Sequence, residues 1–268
     1  MSPLPPAGPQ PPLAADGPDL AAPPAGLLPG LALRDYVLPF KPRPLALWVL
    51  KDPLALAQER SEEAGAEVYW GELWPASIAL ADALLRGDLP LPAGAEPILE
   101  LGCGVGLDAV AAALAGAGRA RILASDREER ALLLTAANAR RNGVGEWVRT
   151  KRLDWQEPYI MRHRLILASD CLYRPEGGRE LLAFLRQALD RQAGDEARAV
   201  VVDPDRWSAR GFVGEAQREG FRVKVSRRVV PFTAAHGAVQ VPQSGPPSDA
   251  EVRSGQSLEA AFYELTWA

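Results

Sequence analysis

Histidine and cysteine are scarce in this chain: His163, His236, Cys103 and Cys171 are the only ones in 268 residues. A structural zinc site needs about four such ligands converging, and these four are scattered, so no metal cofactor is expected. Two thiols exclude a disulfide scaffold and fit a reducing, cytoplasmic setting. No apolar run reaches the roughly 18 residues that a membrane span requires, so no membrane partner is expected. The N-terminus lacks the basic start and continuous apolar core of a secretory leader. An excess of one charge is missing too. With 30 Lys and Arg against 34 Asp and Glu, the net charge is −4 and the pI near 5.4. That balance disfavours a protein built to grip nucleic acid. Between Arg119 and Arg164 eleven basic residues face six acidic ones; we read them mainly as solvated helix and strand faces.

Proline is abundant, and unevenly so. Residues 1–30 hold ten prolines and no helical or strand period, which predicts a disordered Pro/Ala-rich lead-in. Residues 31–66 read as a small N-terminal subdomain, with a strand near Leu45–Lys51 and a helix over Pro53–Ala64. Residues 67–268 form the main domain. It opens with Val68-Tyr69-Trp70-Gly71-Glu72-Leu73-Trp74-Pro75, leading into a helix over Ala76–Arg86 with Pro75 suited to its first turn.

Past residue 95 strands and helices alternate. Strands are predicted at Ile98–Leu101, Arg121–Asp126, Val148–Trp155, Leu165–Asp170 and Ala199–Asp203, with helices over Leu107–Ala115, Glu128–Asn142, Gly178–Arg191 and Trp207–Glu219. Such alternation implies an α/β fold, a doubly wound Rossmann-like parallel sheet covered on both faces. The end breaks the pattern. Phe221–Phe232 and Leu258–Trp267 are strand-like with only a polar connector between them, so they pair antiparallel or lie apart.

The most informative stretch is Glu100-Leu101-Gly102-Cys103-Gly104-Val105-Gly106, between the first strand of this series and its helix. A glycine turn at a strand end lets backbone and helix N–H groups approach an adenosine-containing ligand. A dinucleotide fingerprint needs its third glycine at 107, which is Leu107. Here it is Gly106, and a carboxylate, Glu100, precedes the turn; an ammonium-bearing ligand would favour it. Asp126 ends the second strand, where an acid can hold ribose hydroxyls or cap the next helix. The pentapeptide Ile122–Asp126, Ile-Leu-Ala-Ser-Asp, occurs again at Ile166–Asp170.

The E-x-G-x-G-x-G turn resembles the first motif of class I S-adenosylmethionine (SAM) methyltransferases. Adding Tyr69-Trp70…Leu73-Trp74-Pro75, Leu153-Asp154-Trp155 and Asp170-Cys171-Leu172-Tyr173 narrows the resemblance over about residues 65–230. The chain is similar to the methyltransferase-like lysine methyltransferases, the group that includes the electron-transfer-flavoprotein β-subunit lysine methyltransferase. The Pro-rich start, the 233–257 insertion and the last strand depart from that pattern. The resemblance implies a seven-stranded sheet in the order 3-2-1-4-5-7-6, SAM as cofactor and a protein lysine as acceptor. It implies that Trp74 packs against SAM, Glu100 meets its amino-acid end, Gly102, Gly104 and Gly106 line it, and Asp126 holds the ribose. Asp154 and Trp155 would flank the adenine, and Asp170 and Tyr173 would stand where the methyl group is delivered. Bland roles compete: Trp70 and Trp155 as core, Asp154 as a strand-end acid, Asp170 as a cap. An amide- or base-directed enzyme usually carries an N/D-P-P-Y/F motif, which is missing here. A small-molecule N-methyltransferase and a non-catalytic SAM-binding protein remain the alternatives.

Overall fold

The computed structural model describes residues 22–52, 69–92, 97–117, 120–174, 176–231 and 257–268. The lead-in before residue 22, the helix expected over Pro53–Ala64 and residues 232–256 of the connector lie outside them. Nine strands and five α-helices follow in chain order among the described residues. They are β1 (Leu33–Leu38), β2 (Leu45–Leu50), α1 (Pro75–Leu85), β3 (Ile98–Leu101), α2 (Leu107–Ala115), β4 (Ile122–Asp126) and α3 (Glu129–Arg141). Then come β5 (Val148–Arg152), β6 (Leu165–Ser169), α4 (Gly177–Ala188), β7 (Arg198–Asp203), α5 (Phe212–Arg218), β8 (Phe221–Pro231) and β9 (Ser257–Trp267).

Seven strands form one sheet in the order β5-β4-β3-β6-β7-β9-β8. Counted from β3, this is 3-2-1-4-5-7-6, as the resemblance implied. The first five run parallel, and β9 is antiparallel to both β7 and β8. The physical reason is the connection. Helices α2, α3, α4 and α5 each carry the chain back across the sheet, residues 153–164 do so between β5 and β6 without a helix, and β8 and β9 pair antiparallel. The order reverses between β3 and β6, whose carboxyl ends splay their connections to opposite sides and open a crevice.

Apolar side chains bury both faces. On one, β3, β4, β6 and β7 pack with α1, α2 and α3; on the other, Phe184, Leu185 and Phe212 of α4 and α5 cover Leu99, Ile166 and Val201. Several boundaries differ from the sequence reading, four of them for a visible reason or by several residues. The third strand stops at Arg152, three residues early, and the fourth at Ser169, because Asp170 turns into the left-handed region at φ 55°. The helix expected over Gly178–Arg191 ends at Ala188, where Leu189 is extended. That expected over Trp207–Glu219 is a 3-10 turn at Trp207–Ala209, then α5, broken at Gly211 with φ 92°.

The N-terminal unit holds a strand that the sequence reading missed. β1 alternates exposed and buried residues, and its Arg34 and Asp35 mask the period. It pairs antiparallel with β2. The outer edge of β2 is met by two asparagines of α3 and its cap: Asn138 Oδ1 accepts from Trp48 N–H at 2.8 Å and Asn142 Oδ1 from Ala46 N–H at 3.1 Å. Their amide groups donate back to the carbonyls of the same two residues. Each side chain thus stands in for a strand partner, which satisfies an edge that would otherwise be buried unpaired. Leu28 lies in the stretch expected to stay outside the core, yet it is only 4% exposed and packs with this unit. Among the described residues no helix is long and apolar enough to cross a membrane.

Candidate functional site

The carboxyl ends of β3, β4 and β6 deliver acids to one edge. Glu100, in β3, is 2% exposed; it accepts a hydrogen bond from the Ala109 N–H, and its Oε2 has no partner. Burial, and then the negative charges of Asp108 and Asp126, push its carboxyl well above the usual range. Asp108, in the first turn of α2, is equally buried. Its Oδ2 accepts from Ser169 Oγ at 2.5 Å, and its Oδ1 has no partner. Burial pushes this carboxyl well up too, helped by the negative charge of Asp170. The sequence reading missed Asp108. The only available signal was a carboxylate inside the otherwise apolar run Leu107–Ala115.

The glycine turn lies over this pair. Gly104 sits at φ 51°, and a Cβ there would come within 3.0 Å of the Trp70 carbonyl. Gly102 faces Cys171 and Trp155, at 3.4 Å and 3.9 Å from such an added atom. Gly106 has a different neighbour: a Cβ would meet the Thr135 side chain at 2.7 Å, so this glycine permits α2 and α3 to approach. Asp126 grips the turn itself. Its Oδ2 accepts from Gly104 N–H and its Oδ1 from Glu128 N–H, both at 3.0 Å. The cap of α3 is Glu128, whose side chain accepts from Arg130 N–H, so capping is not the role of Asp126. A carboxylate has about four lone-pair sites, so each Asp126 oxygen retains acceptor capacity.

Leu153 is buried after β5, and its N–H donates to the Asp126 carbonyl at 2.9 Å. Asp154 and Trp155 follow, both partly exposed; Asp154 Oδ1 accepts from Gln156 N–H at 3.0 Å. Trp155 therefore borders the glycine turn and is not a fully enclosed core residue. Trp70 is buried. Trp74 is partly exposed and donates its indole N–H to the Tyr69 carbonyl at 2.8 Å. Tyr69 meets Trp74 and Tyr173 edge to face, with ring centroids 5.7 Å and 5.6 Å apart. Tyr173 is 38% exposed, at the mouth of the edge.

Asp170 is buried and engaged. Its Oδ2 accepts from Ala76 N–H at 2.7 Å, and its Oδ1 is ion-paired with Arg206. It supplies the first turn of α1 with the acceptor that the residue at the cap, Trp74, cannot offer. Arg206 also donates to Asp203 Oδ2 at 2.9 Å. Burial raises the carboxyls of Asp170 and Asp203, and the Arg206 guanidinium opposes that rise in both. Beyond Leu172 a groove of about 360 Å³ opens, lined by Gly178, Arg179, Trp207, Arg210 and Phe212. Trp207 is 64% exposed there.

These residues fit a cationic adenosyl ligand. Two buried carboxylates each keep an oxygen without a partner, Gly102 and Gly104 hold the turn in left-handed backbone, and Trp155 borders it. The comparisons agree on the family. A family model described as lysine methyltransferase matches residues 51–203. The electron transfer flavoprotein β-subunit lysine methyltransferase of Danio rerio is 37% identical over 76 residues, 28% of each chain. The ribosomal protein L11 methyltransferase of Alkalilimnicola ehrlichii is 48% identical over 63 residues, 24% of this chain and 20% of that one. The chain thus spans under a third of the length of either curated relative. A solved structure from Pyrococcus horikoshii, provisionally assigned as an RNA methyltransferase, superposes over 81% of this chain and 98% of its own. Its TM-score is 0.50 at 16% identity, and the likeness is one of fold. With the family model covering more than half of it, this chain belongs to the lysine methyltransferase family.

Proposed function

We propose that the protein transfers a methyl group from SAM to the side-chain amine of a lysine in another protein. One observation carries this reading: the glycine turn at the strand ends is flanked by two buried carboxylates, Glu100 and Asp108, each with one oxygen unpartnered. When bound, SAM supplies an electrophilic methyl group on a sulfonium. Glu100 takes the ammonium of its amino-acid end, and Asp126 accepts from the ribose hydroxyls while keeping the turn closed. Gly102 and Gly104 supply the left-handed backbone that lets the turn approach the ligand closely. Trp155 and Asp154 flank the adenine, and the Tyr69–Trp74 pair forms the aromatic wall, since aromatic faces attract a cation.

Methyl transfer to an amine needs no covalent enzyme intermediate. It needs alignment, worth up to roughly 7–11 kcal/mol in favourable cases, and an amine without its proton, whose reference pKa is about 10.4. We assign Tyr173 the task of orienting that amine through its hydroxyl. We assign Asp170 a positioning role, because its carboxylate holds α1 and Arg206. Neutralised in this way, it does not hold a proton on the acceptor as an unpaired carboxylate would. The match to a lysine methyltransferase family favours a lysine acceptor in a protein.

The test is incubation of purified protein with isotopically labelled SAM and a lysate, followed by mass spectrometry of the labelled products. Label on lysine side chains is expected, and a folded Gly104→Arg variant should give none. Label confined to small molecules would sink the acceptor class. Absence of SAM binding by calorimetry would sink the enzyme reading itself.

A further inference from the structure

Glu100 and Asp108 form a buried acidic pair with no cation of the protein's own. Among the described residues neither makes an ion pair, and each keeps one carboxylate oxygen without a partner. Leaving buried charge unpaired is costly, and proteins avoid it unless a ligand completes the site. No group of three or more His, Cys, Asp or Glu among the described residues is arranged to hold a metal ion. The missing partner is then an organic cation that can be shared by two carboxylates.

The positions of the two acids define its size. Glu100 comes from β3, and Asp108 from the helix entered directly after the glycine turn. The Ser169 hydroxyl fixes the Asp108 carboxylate from β6. Together they sit at the crevice where the strand order reverses, the place where α/β sheets bind ligands. A primary ammonium has three donors and suits two acceptors from different elements.

We propose that Asp108 is a second acidic ligand for the ammonium of the cofactor's amino-acid end, acting with Glu100 and oriented by Ser169. This assignment rests on the SAM-binding reading above and adds a residue that the sequence motif does not include. Glu100 by itself would hold the ammonium from one side. Asp108 turns the site into a clamp that selects ligands carrying the amino-acid tail over adenosyl compounds that lack it.

The experiment compares two ligands by calorimetry on the full chain: S-adenosylhomocysteine, which has the ammonium, and 5′-methylthioadenosine, which lacks the whole amino-acid end. Asp108→Asn keeps the shape and the acceptor for Ser169 but removes the charge. Losing a charge-assisted contact should weaken S-adenosylhomocysteine roughly tenfold to a hundredfold. Binding of 5′-methylthioadenosine should be unchanged, which also shows that the variant is folded. Equal loss for both ligands, or no loss for either, overturns the assignment. The wild type provides a check free of any substitution: it should prefer S-adenosylhomocysteine to the same ligand without its α-amino group, and equal affinities would overturn the clamp. A wild type that bound neither adenosyl compound would overturn the cofactor reading, and this assignment with it.

Discussion

The same five residues, Ile-Leu-Ala-Ser-Asp, end two strands of this sheet with different consequences. In β4 all five continue the strand. Ser125 Oγ donates to the Glu100 carbonyl at 2.6 Å, and Asp126 holds the backbone of the glycine turn. In β6 the strand stops at the serine. Ser169 donates to a carboxylate, and Asp170 swings into left-handed backbone to hold α1 and Arg206. One copy thus ties down the glycine turn and the other ties the sheet to a helix. The contrast extends to the acids around each. Among the described residues Glu100 and Asp108, beside the first copy's turn, make no ion pair; Asp170 and Asp203 share one cation in Arg206. On the reading proposed above, the unpaired acids await a ligand, whereas the paired ones are already complete.

Removing the shared cation should have the largest effect. Arg206→Met leaves two buried carboxylates without compensation, and breaking a buried pair of this kind costs about 3–5 kcal/mol. Denaturant unfolding would measure it, and a loss below about 1 kcal/mol would show that the two acids tolerate solvent or protonation. Next comes the twin substitution. Asp170→Asn weakens a charged acceptor at a helix N-terminus and should lose about 1–3 kcal/mol of stability. Asp126→Asn, at the matching position, should instead lower SAM affinity about tenfold at smaller cost in stability. If both variants shift melting and affinity alike, the two copies do the same job and the contrast fails.

The unpaired acids carry a pH signature. The folded carboxyls of Glu100 and Asp108 are raised above 4.5 and 3.8, chiefly by burial. Stability from a raised carboxyl is complete below its unfolded value and is lost as pH rises through the folded one. Ligand-free Asp108→Asn should therefore be more stable than wild type near pH 8, and the gain should vanish below about pH 4. A constant gain across that window would point to packing in place of ionisation. The smallest effect expected is at Tyr173, where Phe keeps the ring that meets Tyr69. Turnover should fall about threefold to tenfold, at most some 1.4 kcal/mol, with melting and SAM affinity unmoved. Unchanged turnover would remove the hydroxyl from the mechanism.

Much of this protein is written in local sequence. Apolar runs of four to six residues separated by amphipathic stretches suffice for a parallel α/β sheet, because hydrophobic period and crossover handedness leave few alternatives. The glycine turn was legible because its backbone angles exclude other residues, and its spacing set the class of ligand. Pro75 at the start of α1 was legible for the same kind of reason: its ring fixes a local dihedral angle. What required the folded chain was every role that depends on a distant partner. Gly106 serves Thr135, 29 positions on in the chain numbering. Asn138 and Asn142 complete a strand edge 90 and 96 positions away. Asp170 caps a helix 94 positions upstream. β1 was invisible because its polar residues become intelligible only when β2 pairs with it. The identical pentapeptides make the division plain. Sequence determined that each would be a buried strand ending in a carboxylate, since that follows from side-chain hydrophobicity and strand period. Which partner each carboxylate found was decided by the neighbouring elements, because a charge beneath the surface takes its chemistry from whatever the fold brings within hydrogen-bond distance.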